Sequence, residues 1–153
     1  MHKKDTTIMN NNRLLFAIGT NSHRQRNMNH AQNELEKIFG DNMRITHIIE
    51  TEPIGIGGPM FLNCLAECFT VLSLPDVKAQ MKRIELECGN TKEKRQRGIV
   101  EMDIDILEYA GELHHINDWQ RPYIMKLFGE LQQKEVSSSL PKNQKKRKVS
   151  NDY

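Results

Sequence analysis

Two strand-helix-strand units in succession, followed by one more helix, are the feature of this sequence that most restricts its fold. Residues 13–18, Arg-Leu-Leu-Phe-Ala-Ile, form a short apolar run closed by Gly19, as expected of a strand covered on both faces. Over residues 22–39, Met28, Ala31, Leu35, Ile38 and Phe39 fall at helical spacing, and Gly40 can stop that helix. Met43, Ile45, His47 and Ile49 then alternate with Arg44, Thr46, Ile48 and Glu50, a period of two that predicts a second strand. After a loop rich in Pro and Gly over residues 51–59, residues 61–72 are apolar and rich in strand formers. Pro75 opens a helix whose Val77, Met81, Ile84 and Cys88 share one face before Gly89. Residues 101–107 alternate acid with aliphatic, and Ile124, Leu127, Phe128 and Leu131 mark a last helix after Pro122. Short, right-handed crossovers fold this order into one sheet. The expected class is α+β: a ferredoxin-like βαββαβ sheet with an added C-terminal helix, its helices on one face and the other face free for a site.

A chain of 153 residues has room for one such domain. Residues 1–12 and 135–153 are polar and without period, so both are expected to be disordered, leaving a domain over residues 13–134. The second segment holds Lys142, Lys145, Lys146, Arg147 and Lys148 against Glu135 and Asp152, which leaves the domain itself near neutral. A pI of 8.4 falls short of the basicity that marks a nucleic-acid binder. No stretch approaches the ~18 apolar residues of a membrane span. The opening MHKKDTTIMNNN lacks the apolar run of a secretory signal, and three cysteines cannot all pair within the chain. A cytoplasmic protein without nucleic acid or membrane partners is the expectation.

Asp103 and Asp105 are the sharpest chemical feature. Residues two apart on a strand share a side, so one face of this strand presents two carboxylates while Met102, Ile104 and Ile106 line the other. Like charges ~7 Å apart need a counter-cation, and such oxygens suit magnesium held partly by water and substrate phosphates. The solvated face of an amphipathic strand would give the same pattern. Just before it, Lys92, Lys94, Arg95 and Arg97 offer the cations a polyphosphate needs, or simply decorate a solvated loop. No G-x-x-x-x-G-K-[ST] occurs, which excludes a P-loop. Phe61 and Asn63 share a strand face and can hold a flat heterocycle by stacking and paired hydrogen bonds; a core Phe and a strand-end Asn are the plain alternative. Cys64, Cys68 and Cys88 lack metal-site spacing and read as small core residues. His114 and His115 suit a phosphate contact or a turn.

Taken in order, Gly19-Thr-Asn21, Thr51-Glu-Pro-Ile-Gly55, Phe61-Leu-Asn63, Arg83-Ile-Glu-Leu86 and Asp103-Ile-Asp-Ile-Leu107 resemble the bacterial 6-hydroxymethyl-7,8-dihydropterin pyrophosphokinase family over residues 13–131. The resemblance implies a ferredoxin-like fold and transfer of pyrophosphate from ATP to the pterin hydroxymethyl oxygen, with AMP leaving, as a step toward folate. It implies that Asp103 and Asp105 bind two magnesium ions with ATP, that Thr51, Ile54 and Asn63 read the pterin edge, and that Phe61 and Tyr123 sandwich its ring. It places His115 and Arg121 at the nucleotide, where the loop cations Lys92 and Lys94 are also expected, with Lys92, Arg95 or Arg97 as substitute catalytic cations. The family usually has arginines where Asn90 and Val100 stand and a tryptophan where Arg97 stands. A degenerate relative that binds pterin or nucleotide with little turnover is therefore the alternative. An RNA-recognition module, which shares the topology, lacks its aromatic strand motif here.

Overall fold

The structure, a computed structural model, describes residues 11–54 and 57–137. In chain order its elements are β1 Asn12–Thr20, α1 Arg24–Phe39, β2 Arg44–Ile45, β3 Ile49–Thr51, β4 Phe61–Thr70, α2 Leu74–Glu87, α3 Lys92–Gln96, β5 Asp103–Tyr109, β6 Glu112–Leu113, α4 Ile116–Trp119 and α5 Pro122–Ser137. The six strands form one antiparallel sheet in the order β2-β4-β1-β5-β6, with β3 also on β4. The α+β class is as expected from the sequence. Asn12 lies in β1 and α5 runs to Ser137, each just past residues 13–134. Residues 1–10 and 138–153 of the expected disordered segments, the basic run 145–148 included, lie outside the described residues.

Alternation along β1 sends Leu14, Phe16 and Ile18 to one face, where they meet Met28, Ala31 and Leu35 of α1 and Val77, Met81 and Ile84 of α2. Cys64, Cys68 and Cys88 are buried in or beside this core without a disulfide among them, and burial pushes the Cys68 thiol up to about 12. The opposite face departs from expectation. Leu15, Leu65, Leu107 and Ile49 meet Ile124, Leu127 and Leu131 of α5 there, because an apolar helix stripe and an apolar strand face each need a cover. Trp119 stacks edge-on against Phe128 at 5.2 Å and donates from Nε1 to the Leu107 carbonyl at 3.1 Å, which holds α4 against the same layer. One end of this face stays open, where Gly19, Asn63 and Asp103 line a cavity.

The expected second strand is broken into β2 and β3. Ile45 faces Ala66, but Ile49 faces Asn63, so four residues on one side span three on the other. One residue is extra, as in a bulge, and it reverses the alternation. Ile45 consequently packs toward α1 and α2 while Ile49 packs toward α5. Thr46 bridges the gap: its N–H donates to the Leu65 carbonyl and its Oγ1 accepts from the Leu65 N–H, both at 2.9 Å.

Candidate functional site

At the open end, register aligns three strands: Gly19 lies opposite Asn63 on one side and Asp103 on the other. Gly19 has to be small, since a Cβ there would come within 2.7 Å of the Asn63 Oδ1. Asn63 is buried and donates from Nδ2 to Thr51 Oγ1 at 2.5 Å, so its amide is held across the glycine. The bulge brings Thr51 to this face, directly opposite Phe61. A cavity of about 220 Å³ results, lined among others by Thr51, Ile54, Phe61, Asn63, Tyr123 and Arg121, with Asp103 and Asp105 in its wall. Eight residues singled out in the sequence thus come together from separate segments. Asp118, also in the wall, had no sequence signal; it pairs with Arg121 at 3.2 Å and so braces that guanidinium.

The two carboxylates stand in unlike surroundings. Burial first, then the charge of Asp103 beside it, pushes Asp105 up to about 7. Asp103 is more open and accepts from Arg95 at 3.2 Å. Among the described residues no group of three or more His, Cys, Asp or Glu could hold a metal unaided. Two strained carboxylates on one face suit a hard divalent cation that draws its remaining oxygens from phosphate and water.

Four expected cations separate on folding. Of the four, Arg95 alone is paired with one of the two carboxylates, that of Asp103. Lys94 donates to the Gly89 carbonyl and to Glu101 Oε2, each at 3.0 Å, on the inner side of the loop. Lys92 is exposed beside a second depression shared with Lys82, Glu85 and Arg95. Arg97 is exposed and closes α3 through its backbone N–H to the Lys94 carbonyl at 2.9 Å. His115 lies outside the main cavity, with His114 in a groove along β5 that also touches Asp105, Lys78 and Lys82.

Asn90 has a job that its polar loop did not disclose. Its Oδ1 accepts from the backbone N–H of Glu101 at 3.0 Å and of Met102 at 3.1 Å, and its Nδ2 donates to the Met102 carbonyl. It therefore fixes the entry to β5, just before Asp103. Asn90→Ala, which orphans two part-buried donors and an acceptor, is expected to cost about 2–3 kcal/mol in chemical denaturation. Asn90→Arg should be no milder.

Comparison with known families finds one match: the model for 7,8-dihydro-6-hydroxymethylpterin-pyrophosphokinase (HPPK) covers residues 15–133. No curated protein matches the chain.

Proposed function

The chain belongs to the 7,8-dihydro-6-hydroxymethylpterin-pyrophosphokinase family, and from that premise we propose that it is an active enzyme using the cavity beside Asp103 and Asp105. The family places it among the pyrophosphokinases of folate biosynthesis, with ATP as co-substrate. In the proposed reaction the pterin hydroxymethyl oxygen bonds to the β-phosphorus of ATP. The bond from that phosphorus to the oxygen bridging the α-phosphate breaks, and AMP leaves. The observation that carries this reading is a single cavity in which Phe61, Tyr123 and the amide of Asn63 stand against the carboxylates of Asp103 and Asp105.

In this reading the pterin ring lies between Phe61 and Tyr123, with Asn63, Thr51 and the Ile54 segment at its edge. Asp103 and Asp105 hold two magnesium ions, which supply positive charge to the phosphate oxygens. Arg95 reaches the same phosphates from the loop side, and Arg121 from the α5 side. The groove with His115, Lys82 and Glu85 receives the rest of the nucleotide, and the second depression beside Lys92 adjoins it at Lys82 and Glu85. Lys94, already engaged by Glu101, supports the loop. The interleaved strand order supports the ferredoxin-like reading of the fold, and three buried cysteines without a disulfide among them suit a cytoplasmic location.

Incubation with ATP, magnesium and reduced hydroxymethylpterin tests the proposal. AMP is the expected nucleotide product; ADP would make it an ordinary kinase. Neither product, with ligands still bound, would favour the degenerate relative, which one observation supports: the arginine positions of the family are held by Asn90, engaged with backbone, and by Val100, whose N–H and carbonyl are both bonded to Asn21.

The clamp carries its own expectation. Phe61→Ala should weaken pterin binding by about 1–2 kcal/mol, the scale of one aromatic contact and its buried area. ATP affinity measured by calorimetry should barely change. Equal losses for both ligands would make Phe61 an ordinary packing residue.

A further inference from the structure

Glu101 is almost fully buried, 2% exposed, yet it touches neither the cavity nor the groove along β5. Its Oε1 lies 3.1 Å from His23 Nδ1 and accepts from Asn27 Nδ2 at 2.9 Å; its Oε2 accepts from Lys94 Nζ at 3.0 Å. His23 precedes α1 in a left-handed conformation, φ 46°, and Asn27 also donates to the Ser22 carbonyl at 2.8 Å. One carboxylate therefore ties the start of α1 to the cationic loop and to the entry of β5. A fold that needed only a core at this point would use an apolar side chain, since a buried carboxylate requires every partner in place.

The geometry around it is directional. Lys94 and Arg95 are neighbours on the one-turn helix α3, so their side chains leave it about 100° apart. Lys94 turns in to Glu101 and to the Gly89 carbonyl, while Arg95 reaches Asp103 Oδ1 at 3.2 Å. On the other strand of this arrangement, Asp103 follows Glu101 by two residues. The Lys94–Glu101 bond thus anchors both ends of the Arg95–Asp103 contact. Asn21 adds a parallel brace, with Nδ2 donating to the Gly98 carbonyl at 2.8 Å and Oδ1 accepting from the Val100 N–H at 2.7 Å.

We propose that Glu101 and Lys94 are positioning residues: together they fix the rotation of α3, and so the placement of the Arg95 guanidinium over the carboxylates. This rests on Arg95 acting at the transferring group, as proposed above. The loop cation is then set before substrate arrives rather than gathered in by it, which removes an ordering cost from the bound state.

A double-mutant cycle tests it, using Lys94→Met and Glu101→Gln in the parent chain and in an Arg95→Ala background. The single-turnover rate of AMP formation, the pterin affinity and the melting temperature are measured for each. Lys94→Met is expected to slow the parent about tenfold or more, in the range that small misplacements cost. In the Arg95→Ala background it should change the rate less than about twofold, because the residue it positions is gone. Pterin affinity should not move. Equal fold-losses in both backgrounds, or no loss in the parent, would overturn the proposal and leave the network purely structural. Should Glu101→Gln not fold, Lys94→Met decides alone, since it leaves Glu101 bonded to His23 and Asn27. If the parent forms no AMP, the pyrophosphokinase reading fails by itself. The same cycle is then read in the affinity for a non-hydrolysable ATP analogue with magnesium, where non-additivity supports positioning and additivity overturns it.

Discussion

Asp105→Asn is expected to lower single-turnover AMP formation by about three orders of magnitude or more. Charge supplied to a reacting phosphoryl oxygen is worth several kcal/mol, and each 1.36 kcal/mol is about tenfold in rate. Asparagine keeps the size and the hydrogen-bonding oxygen but gives up the charge that holds the cation. Calorimetry should show nucleotide binding that no longer depends on magnesium. The ligand-free fold should respond in the opposite direction. Burial and Asp103 raise Asp105 to about 7 in the folded chain, against about 3.9 for an exposed aspartate. Between those values the folded state holds a proton the unfolded state has released, so stability falls as pH rises through that window. Asp105→Asn should flatten that fall and leave the apo protein at least as stable as its parent at pH 8. A variant that binds ATP with unchanged magnesium dependence would sink the metal assignment.

Arg95→Ala should slow the same step by about 10²–10³, the lower part of the range for arginines that stabilise a transferring phosphoryl group. The lower part is appropriate because the side chain is 40% exposed. Arg95→Lys, which keeps charge without the planar fork, should fall between. Lys92→Ala and Arg97→Ala should each cost little, about threefold at most, since neither cation is paired with the carboxylates. Val100→Arg should then be neutral, the position of the charge being filled from another backbone site. A rate unaltered by Arg95→Ala, with a large loss in Lys92→Ala or Arg97→Ala, would reassign the loop cation.

Much of the site was legible because a strand's period leaves little freedom. Once Ile104 and Ile106 are known to be core, Asp103 and Asp105 have to face the other way, and the same holds for Phe61 and Asn63 against Leu62 and Cys64. What could not be read was decided by contacts between segments far apart in the chain. Composition put four cations in one loop. Which one meets the carboxylates depends on the rotation of α3, and that is set by Glu101, which along the strand reads only as one more acid in an alternating series. Asn90 read as a missing arginine, yet its amide pins β5. The apolar stripe of α5 was visible, but not the sheet face that it would cover. Nor did Asp118 carry any spacing that ties it to Arg121.

The broken strand has a consequence for how this site tolerates insertion and deletion. Thr51 reaches the cavity because the bulge takes up the one extra residue between it and Ile45, so its placement is keyed by pairing parity rather than by a residue type. Many substitutions at residues 47 and 48 leave that parity alone. Removing one residue there would take out the bulge and leave Thr51 opposite Phe61, whereas strict pairing of the full segment would send Thr51 toward α1 and α2 and turn Glu50 in opposite Phe61. The amide of Asn63 would then lose the hydroxyl that aims it across Gly19, and a carboxylate would stand in its place in a wall that already holds Asp103, Asp105 and Asp118. One bulged residue, away from the cavity itself, separates the present pocket from one with a further negative charge in its wall.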